Sequence, residues 1–231
     1  MDRDDLVRIL QQAPSPAYVV HLGALEDNLR ILSEVQERSG ATILLALKGF
    51  AMTAVFPQIR RHLKGVCASG PHEARLGKEC FGGLVHTYSP GLKDSELAEC
   101  LQVSDHLVFN SFSQWRRHRS VVEAAPRRVS VGLRVNPEVS TGRVPLYDPC
   151  SPGCRLGIRS EEFAGESLEG IEGLHFHTLC EQDSDALEAT LAGFESRFGR
   201  YMKALKWVNF GGGHHITRPG YDQDRLVALV R

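Results

Sequence analysis

The sequence predicts an α/β fold in which helices cover a parallel sheet, either doubly wound or closed as a barrel. Apolar runs of strand length alternate with amphipathic stretches of helical spacing. The polar residues best suited to chemistry fall just after the runs, where a β/α barrel builds its site. The chain has 231 residues, 42% of them hydrophobic, enough for one large domain with a substantial core.

Taken in order, residues 16–22 read as a strand and 25–39 as the first amphipathic helix. Strands are then expected at 42–47, 65–68, 84–88, 106–109, 129–135, 171–176 and 206–210, with helices at 187–205 and 223–230. The expected organisation is an N-terminal strand and first helix over 1–30, then a barrel over 31–231. No low-complexity linker or strong internal repeat interrupts this rhythm.

Composition narrows the function classes. A formal net charge of −1 offers no basic footprint for nucleic acid or an anionic membrane. The start, Met1-Asp2-Arg3-Asp4-Asp5-Leu6, is acidic and lacks an apolar signal core, and no stretch reaches membrane-span length, so a cytoplasmic location is expected. The six cysteines lack paired C-x-x-C spacing and read as reduced thiols. Cys150 and Cys154 flank Pro152 and Gly153, as in a loop, and no metal is expected there.

The candidate site residues follow the strands. Lys48 ends the 42–47 run, Ser69 follows 65–68, Asn110 follows 106–109, and Arg134 and Asn136 end the 129–135 run. His175 and His177 end the next strand, and Gly211, Gly212 and Gly213 follow the last. Consecutive glycines can turn backbone N–H groups onto a phosphate, although a flexible turn has the same composition. One lysine, a phosphate cradle, a flat ring for stacking and no metal together suit pyridoxal phosphate chemistry. Lys48 would be the Schiff-base lysine, partly desolvated at its strand rim so that the neutral amine is favoured. His177 would stack on the cofactor ring and the triglycine would hold the phosphate, with Ser69 and Cys180 as minor contacts.

The segments Leu45-Ala46-Leu47-Lys48-Gly49-Phe50, Cys67-Ala68-Ser69-Gly70-Pro71-His72-Glu73, Leu133-Arg134-Val135-Asn136-Pro137, Cys150-Ser151-Pro152-Gly153-Cys154-Arg155-Leu156-Gly157, His175-Phe176-His177-Thr178-Leu179-Cys180-Glu181 and Asn209-Phe210-Gly211-Gly212-Gly213-His214-His215 carry a resemblance. They resemble the carboxynorspermidine decarboxylase branch of the alanine-racemase-fold, pyridoxal-phosphate-dependent decarboxylases, over essentially the whole chain. The resemblance implies a (β/α)8-type barrel and implies the same roles for Lys48, His177 and Gly211 to Gly213. It also implies a buried charged pair, Glu73 with Arg134, which a purely structural role would equally explain.

The implied reaction is decarboxylation of carboxynorspermidine or carboxyspermidine to norspermidine or spermidine in polyamine biosynthesis. A cationic polyamine tail should meet carboxylates, for which Glu181, Asp148 and Asp222 are candidates, each equally an ordinary solvated acid. Alternatives are a diaminopimelate-type decarboxylase and a non-catalytic single-barrel pyridoxal phosphate carrier. The family is also expected to be a homodimer, with an eighth strand bearing a glutamate for the pyridine nitrogen and a following β-domain that supplies a cysteine and an aspartate. None of these is recognisable before Arg231, so the expectation is a truncated decarboxylase, inactive or nearly so by itself, with the barrel incomplete at its C-terminal end.

Overall fold

A computed structural model describes residues 3–142 and 144–231. The chain opens with helix α1 (Arg3–Gln12), which the sequence reading did not foresee; Asp4 and Asp5 in its first turn suit the positive end of the helix dipole. Helix α2 (Leu22–Ser39) is capped by His21, whose ring accepts from Ala24 N, and is stopped by Gly40 at φ 75°. The strand expected at 16–22 is not formed. Tyr18 is 96% exposed there, and this stretch has no strand partner among the described residues. The boundary placed at residue 30 falls inside α2, which buries Leu29 and Val35 on either side of it.

Strands and helices then alternate. Strand β1 (Leu45–Ala46) leads to α3 (Phe56–Ile59), β2 (Gly65–Ala68) to α4 (Pro71–Leu76), and β3 (Leu84–Tyr88) to α5 (Asp94–Val103). Strand β4 (His106–Phe109) leads to α6 (Phe112–Glu123), and β5 (Ser130–Arg134) to the short α7 (Ser160–Phe163). Strand β6 (Gly173–His175) leads to α8 (Ser184–Phe198), and β7 (Trp207–Asn209) to α9 (Gln223–Val230). The run at 42–47 forms only the two-residue β1, because Ile43 N donates to Gln36 Oε1 of α2 instead of to a sheet neighbour. The helix expected over 187–205 stops at Phe198 and tightens into a 3₁₀ turn over Gly199–Ala204.

All neighbouring strands are parallel, and their order in the seven-stranded sheet is their order in the chain. The sheet is rolled. Strands β3 and β7 would lie roughly 19 Å apart in a flat sheet, yet Asn209 Nδ2 of β7 is 3.0 Å from His86 Nε2 of β3. The convex face carries Val66, Val85, Leu107, Leu133 and Leu174, all buried beneath the helices, each worth about 1.5–3 kcal/mol of burial. Phe194 and Phe198 of α8 and Leu226 and Val227 of α9 complete that core, while Leu29, Phe56, Ile59 and Phe81 pack over the first strands.

The concave face is polar and aromatic, as strand alternation requires once the outer face is apolar. Trp207 lies across β5 and β6, where a Cβ on Gly132 would come within 2.3 Å of the indole and one on Gly173 within 2.1 Å. Its Nε1 donates to Ser130 Oγ at 2.8 Å, and Ser130 Oγ donates to Glu172 Oε2 at 2.7 Å.

Candidate active site

Because every strand runs the same way, all the strand C-termini open at one end of the rolled sheet. Lys48 lies in the turn after β1, Ser69 after β2, Asn110 after β4, Arg134 at the end of β5, His177 two residues past β6, and the triglycine past β7. The fold therefore gathers residues spread over more than half the chain.

Arg134 organises the centre. It is 5% exposed, donates from Nη1 to Tyr88 Oη at 2.9 Å and from Nη2 to the His177 carbonyl at 3.0 Å, and its guanidinium carbon sits 4.9 Å over the Tyr88 ring. Its Nε is buried without a partner among the described residues. Tyr88 Oη donates onward to Asn110 Oδ1 at 2.8 Å. Asn110 also donates to the Arg155 carbonyl at 2.8 Å and accepts from Gly157 N at 2.9 Å, so the Cys150–Gly157 segment is laid over the ends of β4 and β5.

His177 and the triglycine form one unit. Gly212 N donates to His177 Nδ1 at 3.0 Å, which puts the proton of the neutral ring on Nε2. Burial, reinforced by the positive charges of Lys48 and Arg134 and by His214, pushes His177 down to about 4. Gly211 and Gly213 have φ of 71° and 87°. A Cβ on Gly211 would meet the Phe176 carbonyl at 2.5 Å, and one on Gly213 the Leu179 carbonyl at 2.0 Å; the loop is seated directly on the chain leaving β6. Gln182 N donates to the Gly213 carbonyl at 3.0 Å, and Gln182 Nε2 to the Thr141 carbonyl at 2.7 Å. The N–H groups of Gly213 and His214 have no protein partner among the described residues.

Other expected site residues behave differently. Lys48 is exposed, not desolvated, and makes no ion pair among the described residues. Its charge nevertheless reaches Cys67, His175 and His177. Glu73 and Arg134 do not pair: Glu73 Oε2 accepts from Ser69 N at 2.8 Å and closes the start of α4, as a third-position glutamate often does. Cys180 and Glu181 are exposed, Glu181 with φ 54°. Asp148 is neither solvated nor free for a substrate. It is 3% exposed and accepts from Ser140 Oγ, from Cys150 N at 2.8 Å and from Gly142 N at 3.3 Å, tying its own loop. Asp222 is exposed and caps α9 through Arg225 N at 2.9 Å. Sequence reasoning passed over Tyr88, His86, Gln182 and Asn209. Their signal was strand alternation: His86, Tyr88 and Asn209 take the concave positions of β3 and β7.

The site suits pyridoxal phosphate. A buried guanidinium that has, among the described residues, no carboxylate and no partner for its Nε calls for an anionic or acceptor group from outside the chain, and the N–H groups of Gly213 and His214 stay open to a phosphate. No family model matches the chain. The carboxynorspermidine/carboxyspermidine decarboxylase of Campylobacter jejuni is 45% identical over 221 residues, 96% of this chain and 57% of that protein. The chain is homologous to these decarboxylases. The carboxyaminopropylagmatine decarboxylase of Synechocystis is 41% identical over the same length and share. The crystal structure of carboxynorspermidine decarboxylase from C. jejuni complexed with norspermidine superposes with a TM-score of 0.85 at 45% identity, covering 94% of this chain and 56% of that one. The chain thus spans a little over half the length of the decarboxylases it matches. A complex with PLP shares the fold at 16% identity and a TM-score of 0.75. The architecture is that of the alanine-racemase-fold barrel, present here as seven parallel strands.

Proposed function

We propose that this chain carries the cofactor-binding barrel of a pyridoxal-phosphate-dependent carboxy-lyase acting on carboxynorspermidine or carboxyspermidine, a step of polyamine biosynthesis. The observation that carries the reading is the uncompensated positive charge of buried Arg134 beside His177 and the triglycine, with Lys48 near enough to depress the same histidine. The homology to carboxynorspermidine/carboxyspermidine decarboxylases supports the substrate class. The name of the Synechocystis relative marks the neighbouring substrate, a carboxyaminopropyl chain ending in a guanidino group.

In this reading Lys48 engages the cofactor's aldehyde, His177 holds its ring, and the loop at Gly211 to Gly213 holds its phosphate, with Ser69 and Cys180 at the margin. Bound pyridoxal phosphate supplies an electron-withdrawing ring that takes up the electron pair left when carbon dioxide departs. The chain's own residues set geometry and charge. Arg134 fixes His177 by holding its carbonyl, and its charge favours negative charge developing beside it. His177 stays neutral with its proton on Nε2, so its flat face meets the ring without adding a cation. The tail-binding acids are reduced to Glu181, since Asp148 and Asp222 are engaged elsewhere. A homodimer and a cytoplasmic location belong to the same reading; sedimentation velocity checks the first.

Borohydride reduction after incubation with pyridoxal phosphate, followed by peptide mapping, tests the cofactor assignment. Label on Lys48 is expected, and label elsewhere or nowhere overturns it. Carbon dioxide release from carboxynorspermidine but not from diaminopimelate tests the substrate.

A further inference from the structure

Strand β7 ends in Asn209, whose side chain turns into the rolled sheet. Gly211 N donates to Asn209 Oδ1 at 2.7 Å. A backbone N–H can only donate, so the amide oxygen faces the loop and Nδ2 faces His86 Nε2, 3.0 Å away. That nitrogen must therefore accept, which leaves the proton of His86 on Nδ1. His86 Nδ1 lies 3.2 Å from His106 Nδ1, which then accepts in turn. One backbone amide thus dictates the orientation of three side chains.

We propose that Asn209 and His86 form an interior strut that sets the shape of the triglycine loop, making His86 a positioning residue for the phosphate-binding backbone. The proposal rests on the pyridoxal phosphate reading above. His86 is 3% exposed and is clamped edge-on by His106, Trp207 and His175 at ring separations of 5.3, 5.4 and 5.9 Å. It cannot rotate to another partner. Burial, with His106 beside it, pushes His86 down to about 3, so Nε2 remains an acceptor throughout the neutral range. Three consecutive glycines lose more conformational freedom on ordering than any other tripeptide, and a loop shaped in advance recovers that loss as affinity. The strut does not touch the ligand. By occupying the Gly211 N–H it fixes the peptide that opens the loop, two residues ahead of the free N–H groups of Gly213 and His214.

Wild type, His86→Gln, His86→Leu and Asn209→Ala are titrated with pyridoxal phosphate and with pyridoxal, which carries the same aldehyde without the phosphate. Absorbance and borohydride labelling of Lys48 report binding. Glutamine keeps an acceptor near the position of Nε2, whereas leucine fills the space without one. His86→Leu and Asn209→Ala are expected to weaken pyridoxal phosphate about tenfold, the scale of one lost buried hydrogen bond, and to leave pyridoxal unchanged; His86→Gln is expected to bind both as wild type does. Equal weakening of both aldehydes, or a leucine variant that binds pyridoxal phosphate normally, overturns the strut. If His86→Leu does not fold, Asn209→Ala decides by the same comparison. A wild-type chain that takes up neither aldehyde at Lys48 is a separate result, which removes the cofactor reading and this proposal with it.

Discussion

A cation buried at 5% exposure without a carboxylate is costly, and Arg134 is tolerated because two of its nitrogens are satisfied by Tyr88 and by the His177 carbonyl. A lysine at this position has one compact ammonium and cannot span both acceptors. Arg134→Lys is therefore expected to weaken pyridoxal phosphate binding about tenfold, the effect of losing one charge-assisted bond, as read by cofactor titration. His177 gives a second check. With its Nδ1 held by Gly212 N and its ring pushed down to about 4, its carbon-bound proton resonances should stay constant from pH 8 to pH 5.5 and move only near the lower value. A midpoint near the ordinary 6.5 would show the ring to be solvated. The placement of Lys48, His177 and the triglycine at one end of the sheet was legible in the sequence because each follows an apolar run of strand length. Arg134's partners were not, since Tyr88, Asn110 and His177 meet only when β3, β4, β5 and β6 stand side by side.

The elements were legible where an apolar run is buried on the convex face. Strands β2, β3 and β4 and helix α9 keep their expected limits, because Val66, Val85, Leu107 and Leu226 need a core and periodicity reports exactly that need. The failures fall at 16–22, where Tyr18, Val19 and Leu22 stay in solvent, and at 42–44, where Gln36 captures a backbone amide. Asp222 looked like a substrate carboxylate and is a helix cap, a role visible in the sequence only once the start of α9 is known. Asp222→Ala should cost about 1 kcal/mol of stability, measured by urea unfolding, and leave cofactor affinity intact. Gly213→Ala should cost more, about 1–3 kcal/mol, because its φ is 87° and the Leu179 carbonyl would lie 2.0 Å from the new Cβ. It should also weaken pyridoxal phosphate while leaving pyridoxal bound.

Across the whole molecule the interior histidines make stability depend on pH. His86 is held at about 3 and His177 and His214 at about 4, burial being the main cause in each, against about 6.5 in an unfolded chain. Between those values the unfolded state binds more protons, so stability is full above roughly pH 7 and falls as pH drops from 6.5 towards 4. Glu172, held near 2 by Lys206, Ser130 and Arg128, extends the loss below pH 4.5, where an unfolded glutamate takes up its proton. Urea midpoints at pH 7.5, 6 and 5 check the sign, and His86→Gln should flatten the slope.

The match between strand order and chain order has a kinetic side. The backbone ladder of each strand joins it only to its neighbours in sequence, so a terminal strand can leave the ladder without unthreading any other, and opening can travel inward one β/α unit at a time. Amide hydrogen exchange should then be graded across the sheet: fastest in the two-residue β1 and the part-exposed β7, slowest in β4 and β5. The turns that follow β1 and β7, which carry Lys48 and the triglycine, would be the least protected. A ligand bridging them would clasp together the two margins of the sheet, and its binding should appear as slowed exchange at both ends of the chain's ladder at once.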